Sequence, residues 1–238
     1  MDSLAENLAR IRERLHIAAL RAGRDPASIT LVAVSKTHPA ATVRAALALG
    51  LTNFGENRIE EAAPKMSAID AAGARWHMIG HIQSRKARAV AEEGFVLVHS
   101  VDSYKLAERL SQFAQKSAQV QPILLECNVS GEAQKAGFNV ADPTRWAVWL
   151  PEVEQLLALP NIQVQGLMTM APIVEQPDLA RPYFARLREL QAYLIQQTAA
   201  VPTLWRTLSM GMTDDFEAAI AEGATLVRIG RALFGTRA

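Results

Sequence analysis

Leu31-Val32-Ala33-Val34-Ser35-Lys36-Thr37-His38-Pro39 is the stretch on which the fold turns. Its first four residues are apolar and short enough in run for a buried parallel strand. Pro39 suits the first turn of a helix over 40–49. Lys36 therefore stands where a strand runs out, and the carboxyl ends of parallel strands are where α/β proteins place their chemistry. An amine flanked by apolar residues gives up its proton more readily and can attack a carbonyl. Read alone, the same residue is equally a solvated lysine in a turn.

Working outward, the same alternation continues through the chain. Residues 52–55, 76–79, 96–99, 122–129, 162–168, 207–209 and 226–229 read as further strands. Helices are expected over 57–72, 84–93, 103–117, 144–157, 179–197 and 214–222, with a short last helix over 231–234. An additional helix precedes the first strand. Ser3 and Glu6 form its capping box, Leu4, Leu8, Ile11 and Leu15 share one face, and Gly23 ends it. Eight strand–helix units predict one closed (β/α)8 TIM barrel domain spanning residues 1–238. A doubly wound open sheet is the alternative. It would usually carry a glycine-rich turn after the first strand, and Ser35-Lys36-Thr37-His38 has none. The longest loop, 130–143, contains Gly131 and Gly137 and is expected to be mobile.

Bulk composition narrows the class. The 238 residues are 50% hydrophobic with a formal net charge of +1, enough for a sizeable core and with no nucleic-acid footprint. One cysteine, Cys127, excludes a disulfide framework within the chain and reads as a small core residue. No stretch reaches the length of a membrane span, and the amino terminus is neither a secretory signal nor a mitochondrial presequence. A cytoplasmic location follows as the expectation.

A closed barrel would bring the loops after all eight strands to one face. That face would collect Lys36, Glu56-Asn57-Arg58, Gly80-His81, Ser100-Val101-Asp102, residues 128–132, Met168-Thr169-Met170, residues 209–213 and Gly230-Arg231. Two of these segments suit a phosphate: Ser209-Met210-Gly211-Met212-Thr213 and Arg228-Ile229-Gly230-Arg231. Small residues let backbone N–H groups approach an anion, and loops after strands seven and eight commonly do so in such barrels. The glycines are equally compatible with two tight turns. His77 and His81 sit four apart, but Gly80 implies a strand-to-loop turn, and no metal site is expected. Asp214-Asp215 reads as helix capping, Met168, Met170, Met210 and Met212 as packing at the barrel mouth, and Trp146 and Trp149 as helix–core contacts.

Taken together, Ala33–Thr37, Phe54–Arg58, Trp76–Ser84, His99–Ser103, Leu208–Met212 and Val227–Gly230 form six motifs in register. The chain resembles the pyridoxal phosphate homeostasis proteins, single-domain relatives of the alanine racemase N-terminal barrel. The resemblance runs from about residue 4 to residue 235. It implies that Lys36 forms a Schiff base with pyridoxal 5′-phosphate. It also implies that Ser209, Gly211, Gly230 and Arg231 surround the phosphate, that Arg228 faces the pyridine nitrogen, and that Asn57 lies near the ring. Arg85 and Thr213 depart from the family pattern, where Asn and Ser are usual, without touching Lys36.

An arginine partner leaves the ring nitrogen unprotonated and weakens the electron sink. The second, β-rich domain of alanine racemases, which carries the opposing proton donor, is expected to be absent. The resemblance thus implies a monomeric carrier that supplies pyridoxal 5′-phosphate, with apo pyridoxal-phosphate enzymes as recipients, and not an efficient enzyme. A low-turnover amino-acid racemase is the alternative. A cofactor-independent Schiff-base aldolase barrel would need a lysine on a late strand and a separate acid–base partner, and neither is evident.

Overall fold

A computed structural model describes residues 3–69, 73–198 and 204–235. The helices are α1 (Leu4–Arg21), α2 (Ala40–Ala48), α3 (Ile59–Ala68), α4 (Ala87–Glu92), α5 (Tyr104–Lys116), α6 (Trp146–Leu157), α7 (Arg181–Gln197), α8 (Phe216–Ala221) and α9 (Arg231–Phe234). The strands are β1 (Thr30–Val34), β2 (Asn53–Glu56), β3 (Arg75–Met78), β4 (Leu97–Val101), β5 (Gln121–Asn128), β6 (Phe138–Asn139), β7 (Ile162–Met168), β8 (Thr207–Ser209) and β9 (Leu226–Ile229). The order β4-β3-β2-β1-β9-β8-β7-β5 closes through β4–β5 pairing into an eight-stranded parallel barrel. The open-sheet alternative is thereby excluded.

Period-two alternation divides each strand between two cores. Val32, Leu97, Leu124, Met168 and Leu226 fill the barrel interior. Their neighbours, such as Ala33, Val98, Leu125, Leu167 and Val227, meet the helix ring in the larger outer core. The capping box of α1 is present, with Glu6 N–H donating to Ser3 Oγ at 3.2 Å and Ser3 N–H to Glu6 at 2.7 Å. The α1 helix packs on α8 and α9, where Arg14 pairs with Glu217 at 2.6 Å.

Several boundaries differ from expectation. Pro39 is the N-cap of α2 and lies outside its first turn. The helix expected over 57–72 runs Ile59–Ala68, and residues 70–72 lie outside the described ones. Ser100 and Val101 belong to β4, so Asp102 alone of that trio reaches the loop. The segment 130–143 is not bare loop: β6 pairs with β5 at Cys127↔Phe138. Asn128 folds the intervening turn, its Oδ1 accepting from Gly131 N–H at 2.9 Å and its Nδ2 donating to Glu132 O at 2.9 Å. Gly137, at φ +105°, lies so close to β5 that a Cβ there would sit 2.7 Å from Glu126 O.

Candidate functional site at the barrel mouth

Ser35 continues the β1 ladder by donating its N–H to Gly55 O at 3.0 Å, and Lys36 is the first residue beyond it. The next residue, Thr37, has φ +67°. A β-branched side chain in that region is strained by about 1–3 kcal/mol and persists only where neighbours enforce it. Here Thr37 N–H donates to Glu61 at 3.2 Å, and His38 N–H to Ser35 O at 3.1 Å. Behind the turn, Ser35 Oγ donates to Glu56 Oε1 at 2.6 Å. Lys65 Nζ lies 2.6 Å from the same oxygen and donates to Ser35 O at 2.9 Å. Glu56 was expected on the mouth. Alternation turns Gly55 inward and Glu56 outward, so the acid anchors β1 to α3 from behind.

A second network crosses the barrel interior. Arg228 donates to Ser209 Oγ at 2.6 Å and to Thr169 O at 3.0 Å. Ser209 Oγ is 2.8 Å from His99 Nδ1, His99 Nε2 is 2.9 Å from His77 Nδ1, and His77 Nε2 is 3.0 Å from Asn53 Oδ1. Asn53 Oδ1 only accepts, so His77 donates from Nε2, and with both rings neutral the donor order follows back along the chain to Ser209. Ser209 Oγ accepts from Arg228 and donates its O–H to His99 Nδ1. Both imidazoles then carry hydrogen on Nε2, and the chain ends on the Asn53 amide oxygen. Burial lowers the His77 pKa to about 4 and holds His99 well below the ordinary value, so both rings are neutral. Burial also lowers Arg228 to about 10, which still leaves it charged at neutral pH.

Lys36, Asn57, Arg228, Gly230 and Arg231 line one cavity of about 820 Å³ at this mouth. Ser209 and Gly211 do not line it. Ser209 lies beneath Arg228, fully buried. Gly211 O accepts from Arg228 N–H at 3.0 Å, and a Cβ on Gly211 would sit 2.6 Å from that of Ala219. The loop after β8 still reaches the cavity through Met212 and Thr213. Asp215 stabilises that loop by accepting from Met212 N–H at 2.6 Å, and makes no side-chain cap to α8. Asp214 pairs with Arg231.

The methionines divide, Met168 and Met210 being buried while Met170 and Met212 are exposed at the rim. Trp146 is buried and donates to Val140 O at 2.9 Å, and Trp149 packs at a tilt against Phe138, ring centroids 5.0 Å apart. His81 pairs with Asp102 at 3.1 Å, far in role from His77. Cys127 is buried, and burial pushes its thiol upward. Among the described residues no group of three His, Cys, Asp or Glu side chains could hold a metal ion.

Sequence reasoning missed Glu126. It lines the cavity from β5, and burial with Asp102 nearby raises its pKa to about 7. The signal was a lone acid inside the apolar run 122–129. The donor set suits a phosphorylated aromatic aldehyde. It offers a strand-end amine, a buried donor-only guanidinium, small residues after β9, and a buried Asn57 Oδ1 that none of the described residues satisfies.

Comparison with known proteins places the chain in a family. The alanine racemase N-terminal domain family matches residues 1–238. A pyridoxal phosphate homeostasis protein of Pseudomonas aeruginosa is 47% identical over 240 residues, spanning 100% of this chain and 97% of the relative. The chain belongs to the pyridoxal phosphate homeostasis protein family. Its Escherichia coli K12 member is 38% identical, across 100% of this chain and 98% of that protein. PipY of Synechococcus elongatus PCC7942, solved with PLP bound, is 39% identical with a TM-score of 0.81, covering 98% of this chain and 100% of PipY. An alanine racemase of Clostridium difficile shares the fold alone, at 14% identity and a TM-score of 0.70 over 57% of its own length. Among the described residues no helix is long and apolar enough to cross a membrane.

Proposed function

We propose that this chain binds pyridoxal 5′-phosphate at the barrel mouth through a Schiff base on Lys36, and stores and supplies it within the cytoplasm. The observation that carries this reading is the meeting of Lys36 and Arg228 in one 820 Å³ cavity. When bound, the cofactor supplies an aldehyde carbon that condenses with an amine and a ring that can accept electron density. The turn at Thr37 aims the lysine, and the Glu56–Lys65–Ser35 anchor keeps it from drifting with α3. Arg228, held by Ser209 and Thr169, can donate a hydrogen bond but takes no proton. Gly230 and Arg231 would meet the phosphate chiefly through backbone N–H groups, and Thr213 would offer a hydroxyl. Ser209 and Gly211 act on this site through Arg228.

Borohydride reduction followed by peptide mapping tests the assignment. The pyridoxyl group should be found on Lys36, and Lys36→Ala should lose the visible absorption band. Recovery on Lys135 or Lys86 in the wild type would overturn it. Lys135 lines the cavity but is paired with Glu132 at 2.6 Å.

A further inference from the structure

Glu126 has no part in the function proposed above, yet its setting is unusual. It sits on β5 among Leu124, Leu125 and Cys127, and is 5% exposed. Its side chain lines the cavity, and no hydrogen bond or salt bridge within the described residues reaches its carboxyl. Around the barrel, β5 is four strands from β1 in either direction, so Glu126 faces Lys36 across the mouth. Three charged or titratable groups reach it from other elements: Asp102 after β4, His81 after β3, and Arg228 on β9. Asp102 repels an ionised Glu126. His81 is occupied with Asp102, and Arg228 is directed at Ser209 and Thr169, so neither satisfies the acid. Lys36 and Lys135 share the cavity.

A buried carboxyl with no partner is costly to hold, and costlier when ionised. As a neutral acid it has an O–H to donate, and an O–H···O⁻ bond to an anionic ligand is among the stronger hydrogen bonds. Once ionised, this largely buried carboxylate would place a negative charge against that ligand. We propose that Glu126 is a ligand-contacting acid of this cavity, donating its proton in a hydrogen bond to an anionic oxygen of bound pyridoxal 5′-phosphate and weakening the ligand's hold when that proton departs to solvent. The inference rests on the reading that the cavity holds this phosphorylated aldehyde. Burial and Asp102 place the Glu126 pKa at about 7, so the change falls in the neutral range.

The test is the dissociation constant of pyridoxal 5′-phosphate between about pH 6 and pH 9, for wild type and Glu126→Gln. Pyridoxine 5′-phosphate, which has no aldehyde, is measured beside it to remove the lysine chemistry. Titrations of the ligand and of the other cavity groups are common to both proteins, so the ratio isolates Glu126. Wild type should weaken by about tenfold or more relative to Glu126→Gln between about pH 6.5 and 8.5, for both ligands. Parallel curves would overturn the role of Glu126 and leave the cofactor reading intact. No binding by wild type at any pH would contradict that reading and this proposal with it. Infrared spectroscopy of the wild type provides a check that needs no variant. A protonated carboxyl band that shifts when pyridoxine 5′-phosphate is added supports the contact, and a band unmoved by the ligand refutes it.

Discussion

Lys36 owes its position to residues that never enter the cavity. The buried Glu56–Lys65 pair would cost stability if either partner were removed, because the survivor would keep an uncompensated charge. Ser209 shows the same indirect logic. Its hydroxyl satisfies Arg228 and His99 at once, so Ser209→Ala should cost about 1–3 kcal/mol in denaturant unfolding. Binding of pyridoxal and of its phosphate should fall by similar factors, because the cavity donors near the phosphate remain. A selective loss for the phosphate would show that the hydroxyl reaches it directly. Pyridoxal itself should bind far more weakly than its phosphate to the wild type, and equal affinities would exclude an anion site. Glu126 carries a cost of its own. Its folded pKa of about 7 stands above the ordinary 4.5, so its contribution to stability is present below about pH 4.5 and is lost as pH rises to about 7. Glu126→Gln should therefore gain up to about 3 kcal/mol over wild type above pH 7, and nothing at pH 4. Thermal or urea unfolding across that range checks the sign.

At the scale of elements, β7 carries an irregularity in its pairing with β5. Its register to β5 shifts between Ile123↔Val164 and Leu124↔Gly166. Gly166, at φ +152°, lies against β8 so closely that a Cβ would sit 1.9 Å from Thr207 O. Gly166→Ala should destabilise the fold by about 3 kcal/mol or more, read as a lower urea midpoint. Strands β3 and β4 contribute the paired histidines. Because the folded pKa of His77 is about 4 against an ordinary 6.5, the unfolded chain takes up protons first as pH falls. The stability His77 contributes is complete above about pH 6.5 and is lost towards pH 4, by about 3 kcal/mol, with His99 adding in the same direction. Nitrogen-15 NMR should find both rings neutral and protonated on Nε2 at pH 7. A ring titrating near pH 6.5 would contradict the chain. These elements also show what the sequence made legible. The strands β7, β8 and β9 and the helix α9 stand where periodicity and glycine placement put them. What escaped depends on contacts between distant residues. The β6 strand is two residues held by pairing to β5, and the inward side of β2 could be told from its outward side only once α3 supplied Lys65. His77 and His99 read as members of two unrelated motifs until barrel closure set them 2.9 Å apart.

For the molecule as a whole, the barrel gathers the strand-end residues at one mouth, in a chain with a formal net charge of +1. The cavity is lined by the amines of Lys36 and Lys135, the Arg228 guanidinium, which takes no proton, and the Glu126 acid on the wall opposite β1. A donor-only guanidinium beside a bound ring would leave the ring nitrogen unprotonated and weaken the electron sink, which suits holding and releasing a cofactor better than driving proton transfer through it. The far-wall acid is also the one feature that favours slow racemisation, so the two activities should be measured side by side. The decisive measurement mixes the pyridoxal-phosphate-loaded protein with an apo pyridoxal-phosphate enzyme, and follows both enzyme reactivation and solvent-deuterium exchange at the α-carbon of alanine. Reactivation with negligible exchange is the result expected of a cofactor supplier. Rapid exchange, at rates usual for enzymes, with no reactivation would contradict the account.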